Sequence, residues 1–221
     1  MRIKIITPII VPEEERSWRE ERYRKLFGPS HTIDIINLPE GPRAFEGYDD
    51  LLWSELSVYR EACNQDPADF DAMMVDCVFD TAVARLRMTT AMPVFGPLEE
   101  TLRLLRALNR KFVLLSRSQK ISQWLTQKVL EYGYKDLLDT SVSMNLSVSE
   151  FAEIPKREEA IFRAIENLRL QYENRVVVMG CTAIAGTDRP EWRTLSASVL
   201  FPGEVALRSL AFYDDLGLLT S

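Results

Sequence analysis

The sequence predicts an α/β protein of two pseudo-symmetric lobes, each a roughly four-stranded parallel sheet flanked by helices, with the active site in the cleft between them. Three observations predict it. Short runs rich in Ile, Val and Met alternate with helical stretches along the chain, the pattern of parallel sheets with crossover helices. The pattern runs through twice, with about four strand-like runs in each half. In each half the third run ends at a cysteine, Cys77 in the first and Cys181 in the second. This is a symmetry of elements and not a repeat of sequence.

Taken in order, Arg2 to Thr7 is an isoleucine-rich strand, and Pro8 and Pro12 bracket a loop. Glu13 to Phe27 has helical composition. Glu15/Arg19, Glu20/Arg24 and Glu21/Lys25 stand at the favourable i, i+4 spacing, and Trp18, Tyr23, Leu26 and Phe27 supply an apolar side. Gly28-Pro29 stops that helix. Thr32 to Leu38 is a second strand, and Asp49 to Cys63 a second helix after a Gly/Pro-rich loop. Phe70 to Asp76 is the third strand. Asp80 is placed to cap a short helix through Met88. Met92 to Phe95 is a fourth strand, and Gly96-Pro97 with Glu99 and Glu100 opens a helix to about Asn109.

The second half follows the same outline. Lys111 to Ser116 is a strand, Ser118 to Tyr132 a helix ended by Gly133, and Leu137 to Met144 a further strand. Pro155 to Tyr172 is strongly helical, with Ile161, Ile165 and Leu168 on one face. Arg175 to Met179 is a strand, Asp188 and Pro190 start a short helix, Ser196 to Phe201 is a strand, and Gly203 to Leu216 a last helix. The lobes are expected at residues 1–96 together with 203–221, carrying Cys77, and at 97–202, carrying Cys181.

Composition narrows the function. An apolar fraction of 46% and a charged fraction of 27% are those of a soluble globular protein, and the net charge of −6 argues against nucleic-acid binding. The opening residues lack the long apolar region and small-residue cleavage site of a signal peptide, and no apolar stretch approaches the ~18 residues of a membrane span. Three cysteines without close pairing do not form a disulfide framework, so a reducing cytoplasm fits best. The only histidine, His31, reads as a surface residue. No cluster of His, Cys and acidic residues has metal-site spacing, so no protein-bound metal is expected. No two of the nine glycines form a G-x-G pattern, which removes a dinucleotide fingerprint. The expected partner is a small molecule, with no nucleic acid and no membrane; homo-oligomerisation is left open.

The two strand-end cysteines carry the chemistry. Open α/β proteins place ligands outside the carboxyl edge of the sheet. Two thiols on such edges could face each other across a ligand, to remove a proton from one face of a carbon and return one to the other. Free cysteine also packs as a small hydrophobe, so a purely structural role stands beside this reading, and Cys63 is read as filler. A strand end opening into a helix start can stabilise a thiolate through backbone N–H groups. Thr182 could donate to a thiolate or a substrate oxygen, whereas the Asp80 carboxylate would raise a thiol pKa.

Asp71-Ala72-Met73-Met74-Val75-Asp76-Cys77-Val78-Phe79-Asp80 resembles the first cysteine motif of the hydantoin racemase family, within the aspartate/glutamate racemase superfamily, and Val177-Val178-Met179-Gly180-Cys181-Thr182 resembles the second. The resemblance extends to Gly41-Pro42-Arg43-Ala44-Phe45-Glu46-Gly47, Pro93-Val94-Phe95-Gly96 and the closing Leu216-Gly217-Leu218-Leu219-Thr220-Ser221. It implies a cofactor-free racemase or epimerase in which Cys77 and Cys181 serve as thiolate base and thiol acid. The acidic carbon would lie between an amide-type carbonyl and a nitrogen, as in a 5-substituted hydantoin or allantoin. The resemblance implies substrate contacts from Pro8, Ile9, Phe45, Val78, Phe79, Asp80, Thr81, Ser116, Thr182 and Ala183, with backbone N–H groups after each cysteine holding the carbonyl as it becomes enolate-like.

The chain departs from the family pattern at three places. Thr7-Pro8-Ile9-Ile10 replaces an Asn-Pro-Asn type motif, Val78-Phe79-Asp80-Thr81 replaces a Phe-Gly-Asp-Pro type run, and Thr182-Ala183 replaces an Ala-Gly pair. The proton-transfer residues stay while residues that would read a polar ring change. Related reactions of the superfamily would use the same cleft: amino-acid or allantoin racemisation, diacid isomerisation, or decarboxylation. A non-catalytic small-molecule binding protein on this scaffold is the reading from another class.

Overall fold

The protein is described from a computed structural model, covering residues 1–28, 30–172, 174–184 and 199–219. It divides into two compact units, Met1–Glu100 with Gly203–Ser221, and Thr101–Pro202. The first holds β1 (Arg2–Ile6), α1 (Glu13–Phe27), β2 (Thr32–Ile36), α2 (Tyr48–Cys63), a 3-10 turn (Pro67–Asp69), β3 (Ala72–Val75), α3 (Val83–Thr89), β4 (Val94–Phe95) and the start of α4 (Pro97–Ala107). The second holds β5 (Phe112–Ser116), α5 (Gln119–Glu131), β6 (Leu138–Ser143), α6 (Val148–Ala152), α7 (Ile154–Gln171), β7 (Val176–Met179) and β8 (Val199–Leu200). The helix α8 (Pro202–Asp215) belongs to the first unit, where Ala206, Leu207 and Leu210 join its core.

Each unit contains one four-stranded, wholly parallel sheet. The orders are β2-β1-β3-β4 and β6-β5-β7-β8, the same order when strands are counted from the start of each unit. In such a sheet the chain winds one way from the first strand to the second, then reverses to reach the third. The crevice at that reversal, outside the carboxyl ends of the first and third strands, is where this architecture binds ligands. The register makes the units comparable residue by residue. Ile6 lies beside Val75, and Leu115 beside Met179. Cys77 and Cys181 therefore both stand two residues beyond the third strand of their own sheet.

The central strands are apolar on both faces because helices cover both. β3, β5 and β7 are buried at every position. Ile3, Ile5, Ile33, Met74 and Tyr23 form the core of the first unit with α8; Val113, Leu115, Val177 and Met179 form that of the second. Ile161, Ile165 and Leu168 of α7 close the second core from their expected helical stripe. Full burial of each such side chain contributes about 1.5–3 kcal/mol.

Three local expectations are corrected. The short helix begins at Val83, and Asp80 does not cap it. On α1 the buried positions include Arg19 and Arg22, while Trp18 is exposed and lies under the Arg22 guanidinium. His31 is not a surface residue: its side chain is 11% exposed, with its ring edge-on to Phe27 at 4.4 Å between centroids. Asp188, Pro190 and Ser196 lie outside the described residues. Among the described residues no helix is long and apolar enough to cross a membrane.

Candidate active site

The first thiol is built by a tight turn at the end of β3. The Asp76 N–H continues the ladder by donating to Ile6 O at 2.9 Å, and the Cys77 N–H donates to Val75 O at 2.7 Å. The chain then folds over the thiol: the Phe79 N–H donates to Cys77 Sγ at 3.4 Å, and the Asp80 N–H to Cys77 O at 3.0 Å. Cys77 is buried, as are Val78, Phe79, Asp80 and Thr81. Burial pushes the Cys77 thiol up to about 12, and the Asp80 and Asp76 carboxylates push the same way. The Thr81 hydroxyl and the Phe79 N–H oppose them by favouring the thiolate. The buried Thr81 Oγ1 makes no well-formed hydrogen bond among the described residues.

Two acids flank this turn, each tied down. Asp80, in the left-handed region at φ 49°, accepts from the N–H groups of Leu98 at 3.0 Å and Glu99 at 2.8 Å. It thus caps α4 from a distance, and the helix N-terminus takes up its charge. Asp76 accepts from Arg19 Nη1 at 2.8 Å and from the Tyr23 hydroxyl at 2.6 Å, all three buried. Burial, with the Asp76 carboxylate adding to it, pushes the Tyr23 phenol up, so it stays a donor. Arg19 also bonds Glu15, so the charges inside this cluster are paired.

Neighbouring loops complete the first switch region. The buried Thr7 hydroxyl donates to Ile36 O at 3.3 Å, and Asn37 clasps Val11 through both its N–H and C=O. Pro8 is buried, and its carbonyl accepts from the Ser54 hydroxyl at 2.5 Å. Ile9 and Ile10 are half-buried, and the Ile10 N–H donates to Pro42 O at 2.8 Å, joining this loop to the one that carries Phe45. The Phe45 ring meets Phe79 edge-on, with centroids 5.5 Å apart.

The second thiol has a different support. Gly180 takes the place of Asp76, and its N–H donates to Leu115 O at 2.7 Å, the counterpart of the bond to Ile6. A β-carbon at Gly180 would lie 2.8 Å from Leu125 Cδ1, 3.0 Å from Leu115 O and 3.1 Å from Ser116 Cβ, so no side chain fits. Cys181 and Ala183 are half-buried, while Thr182 is buried. Ser116 is the counterpart of Thr7. Its hydroxyl lies 2.7 Å from that of Ser122 and 3.1 Å from Ser118 O, and this pairing braces the start of α5.

Within the first unit, Cys77, Val78, Phe79, Asp80 and Thr81 are consecutive around one thiol, with Phe45 against Phe79, and Pro8 and Ile9 follow the adjacent strand. Within the second, Cys181, Thr182 and Ala183 are consecutive, with Ser116 at the end of the neighbouring strand. Two details differ from expectation. The N–H groups of Phe79 and Asp80 are spent on Cys77 itself rather than left for a substrate carbonyl. Asp80 serves α4 and not the helix that follows it. Sequence reasoning missed Arg19, Tyr23 and Asp76 as a unit. The available signal was an acid closing the apolar run Ala72-Met73-Met74-Val75, which demands a partner if buried. Among the described residues no group of three or more His, Cys, Asp or Glu is placed to hold a metal ion.

Comparison with known proteins places this geometry. The family model for Asp/Glu/Hydantoin racemase matches residues 20–210. No curated protein matches the sequence. Among solved structures, the allantoin racemase from Pseudomonas fluorescens superposes with a TM-score of 0.87 at 20% identity, covering 100% of this chain and 94% of that one. The allantoin racemase from Klebsiella pneumoniae gives 0.84 at 19% identity, covering 100% and 90%. A mutant maleate cis-trans isomerase from Nocardia farcinica, with a covalently bound succinylcysteine intermediate, gives 0.69 at 15% identity, covering 98% and 93%. Two parallel four-stranded sheets of identical order, and a family match over most of the chain, make this protein a member of the Asp/Glu/Hydantoin racemase family and an isomerase by class.

Proposed function

We propose that the protein is a cofactor-independent racemase that inverts an acidic ring carbon of a hydantoin-like substrate, with Cys77 and Cys181 as its acid–base pair. The observation that carries this reading is the equivalence of the two thiols. Each stands two residues past the third strand of its own sheet, beside the switch point where this architecture binds ligands. Packing alone does not require a thiol at the same place twice.

The chemistry is a balanced proton relay. A thiolate takes the proton from the carbon, and the C–H electron pair moves onto the adjacent carbonyl oxygen. The other thiol then gives its proton to the opposite face as that pair returns to carbon. One thiol and one thiolate have changed places, and the substrate is inverted. On this reading Cys77, which burial favours as the thiol, is the acid of the free enzyme, and Cys181 is its base. When the turn is reversed, the Phe79 N–H and the Thr81 hydroxyl stabilise Cys77 as the thiolate. The ring carbon of allantoin, flanked by a carbonyl and a nitrogen, has the acidity this relay needs, so the allantoin racemases among the structural matches support the substrate class.

The covalent cysteine in the maleate isomerase favours a second reading, in which one cysteine adds to an unsaturated diacid. The enclosure of Cys77 disfavours it as the nucleophile, because a thiol held protonated attacks slowly. The test separates the two. Single enantiomers of 5-substituted hydantoins and of allantoin, and maleate, are each incubated with protein in D₂O. Loss of the ring-carbon proton together with decay of optical rotation supports racemisation. Turnover of maleate alone, or decay no faster than buffer with folded protein, would overturn it.

A further inference from the structure

We propose that Thr81 is a positioning residue for Cys77: its buried hydroxyl is held without a hydrogen-bond partner in the resting turn and donates to the sulfur only while Cys77 is a thiolate. This rests on the reading above that Cys77 alternates between thiol and thiolate. It adds a role for a hydroxyl that the resting fold leaves unpaired. Thr81 is 6% exposed, and its Oγ1 makes no well-formed hydrogen bond among the described residues. A buried hydroxyl in that state destabilises a fold. The polar groups beside it are engaged. The Phe79 N–H donates to Cys77 Sγ, the Asp80 N–H to Cys77 O, and the Val83 N–H to Asp80 O at 3.1 Å. The Asp80 carboxylate receives the N–H groups of Leu98 and Glu99. Two residues with left-handed backbones, Asp80 at φ 49° and Ala82 at φ 60°, bracket Thr81. L side chains rarely adopt that region, and such strain gathers at functional sites. An unpaired buried donor between two strained residues marks a turn that is not built for stability alone.

The acceptor is the sulfur around which this turn closes. A thiol sulfur accepts a hydrogen bond weakly, whereas a charged acceptor takes a short, strong one. Burial resists a charge on Cys77, and of the groups that offset burial the Thr81 hydroxyl ranks ahead of the Phe79 N–H. The two acids of the turn act the other way. Asp80, held by the α4 N–H groups, and Asp76, paired with Arg19 and Tyr23, both oppose the thiolate. A bond made in one protonation state alone moves the balance between the two states without holding the fold. The device is particular to this chain. Thr81 stands where the Phe-Gly-Asp-Pro type run ends in proline, which has no hydroxyl to donate.

The test is alkylation of the full chain by iodoacetamide across the ordinary thiol range around pH ~8.5, read peptide by peptide with the exposed Cys63 as reference, beside urea unfolding. Thr81→Val keeps the shape of the side chain and removes the hydroxyl. It should slow Cys77 labelling about tenfold at each pH, the factor expected for one hydrogen bond to a charged group. Its Cys63 rate should be unchanged and its urea midpoint no lower than that of wild type. Thr81→Ala should slow Cys77 as Thr81→Val does, and Thr81→Ser should restore the rate. Wild-type labelling of Cys77 in both the Val and Ala variants, or a Thr81→Ser protein as slow as they are, would overturn the proposal. So would a urea midpoint that falls in Thr81→Val and recovers in Thr81→Ser, the signature of a hydroxyl that only holds the fold. No substrate is present in these measurements, so a failure here and a failure of the racemase reading are separate results.

Discussion

The carboxylate of Asp80 occupies the space in which any side chain at Gly96 would have to begin. A β-carbon on Gly96 would lie 2.5 Å from Asp80 Cγ and within 2.8 Å of both its oxygens. The close approach lets those oxygens receive the N–H groups of Leu98 and Glu99, which ties the turn after Cys77 to the first residues of α4. Ala82, at φ 60°, holds a conformation that costs an L-residue of order 1 kcal/mol, and this anchored turn sustains it. Gly96→Ala should therefore cost about 1–3 kcal/mol by crowding. Asp80→Ala should cost about 1–2 kcal/mol through the lost cap. Urea unfolding measures both; a Gly96→Ala midpoint equal to wild type would refute the contact.

Asp76 and Arg19 make a buried pair directly behind Cys77. Removing the Arg19 guanidinium takes the counter-ion from the buried Asp76 carboxylate. Arg19→Met should cost about 3–5 kcal/mol. Tyr23→Phe removes one hydrogen bond to the same carboxylate and should cost about 1–3 kcal/mol. If thermal or urea unfolding ranks Tyr23→Phe as the worse of the two, the ion pair is not what holds the end of β3.

Cys77 should resist alkylation. Its thiol is pushed to about 12 by burial, so labelling by iodoacetamide in the free protein should be slow near neutrality. Its rate should keep rising about tenfold per pH unit past the ordinary thiol value near 8.5. Cys63 is exposed and serves as the internal reference. The sign for stability follows. Below about pH 8.5 the thiol is neutral in both folded and unfolded chains, so Cys77 adds no pH dependence there. Between there and about pH 12 the unfolded chain ionises first, and stability falls. Mass spectrometry of labelled peptides across pH measures the first effect. Labelling of Cys77 that levels off near pH 7 would contradict it.

At Gly180 the expected failure is steric. Gly180→Ala drives a methyl group against Leu125, Ser116 and the Leu115 carbonyl, and the backbone member of that set cannot move aside. A loss of about 1–3 kcal/mol is expected, together with a changed alkylation rate at Cys181. Normal stability with normal Cys181 reactivity would show that the end of β7 has slack.

The alternation of strands and helices was legible because each strand is buried on both faces, leaving continuous apolar runs such as Val176-Val177-Val178-Met179, and each helix keeps its own period, as Ile161, Ile165 and Leu168 do. The two cysteines could be located for the same reason: a strand run has a visible end. The partners of the site were not legible. Asp80 next to a helix start reads as a local cap, and only the parallel pairing of β3 with β4 brings it to Leu98 and Glu99. Arg19 reads as half of a surface pair with Glu15, and only the docking of α1 on the sheet turns its guanidinium to Asp76. His31 follows a helix stop and reads as a surface residue, yet its ring is held against Phe27. Local periodicity reports which face of an element is apolar. It carries no information about which polar group from a distant element arrives there.

The most direct measurement is hydrogen exchange at the reacting carbon in the two single-cysteine variants. Cys77→Ser and Cys181→Ser are each incubated in D₂O with each enantiomer of a hydantoin that the wild type racemises, and deuterium uptake and optical rotation are followed together. Each variant should lose racemisation by about 10²–10⁴-fold. Each should still exchange the hydrogen of one enantiomer with retention, and the two variants should choose opposite enantiomers, because one thiol remains on one face. Racemisation at the wild-type rate by either variant, or exchange of the same enantiomer by both, would contradict a two-thiol relay.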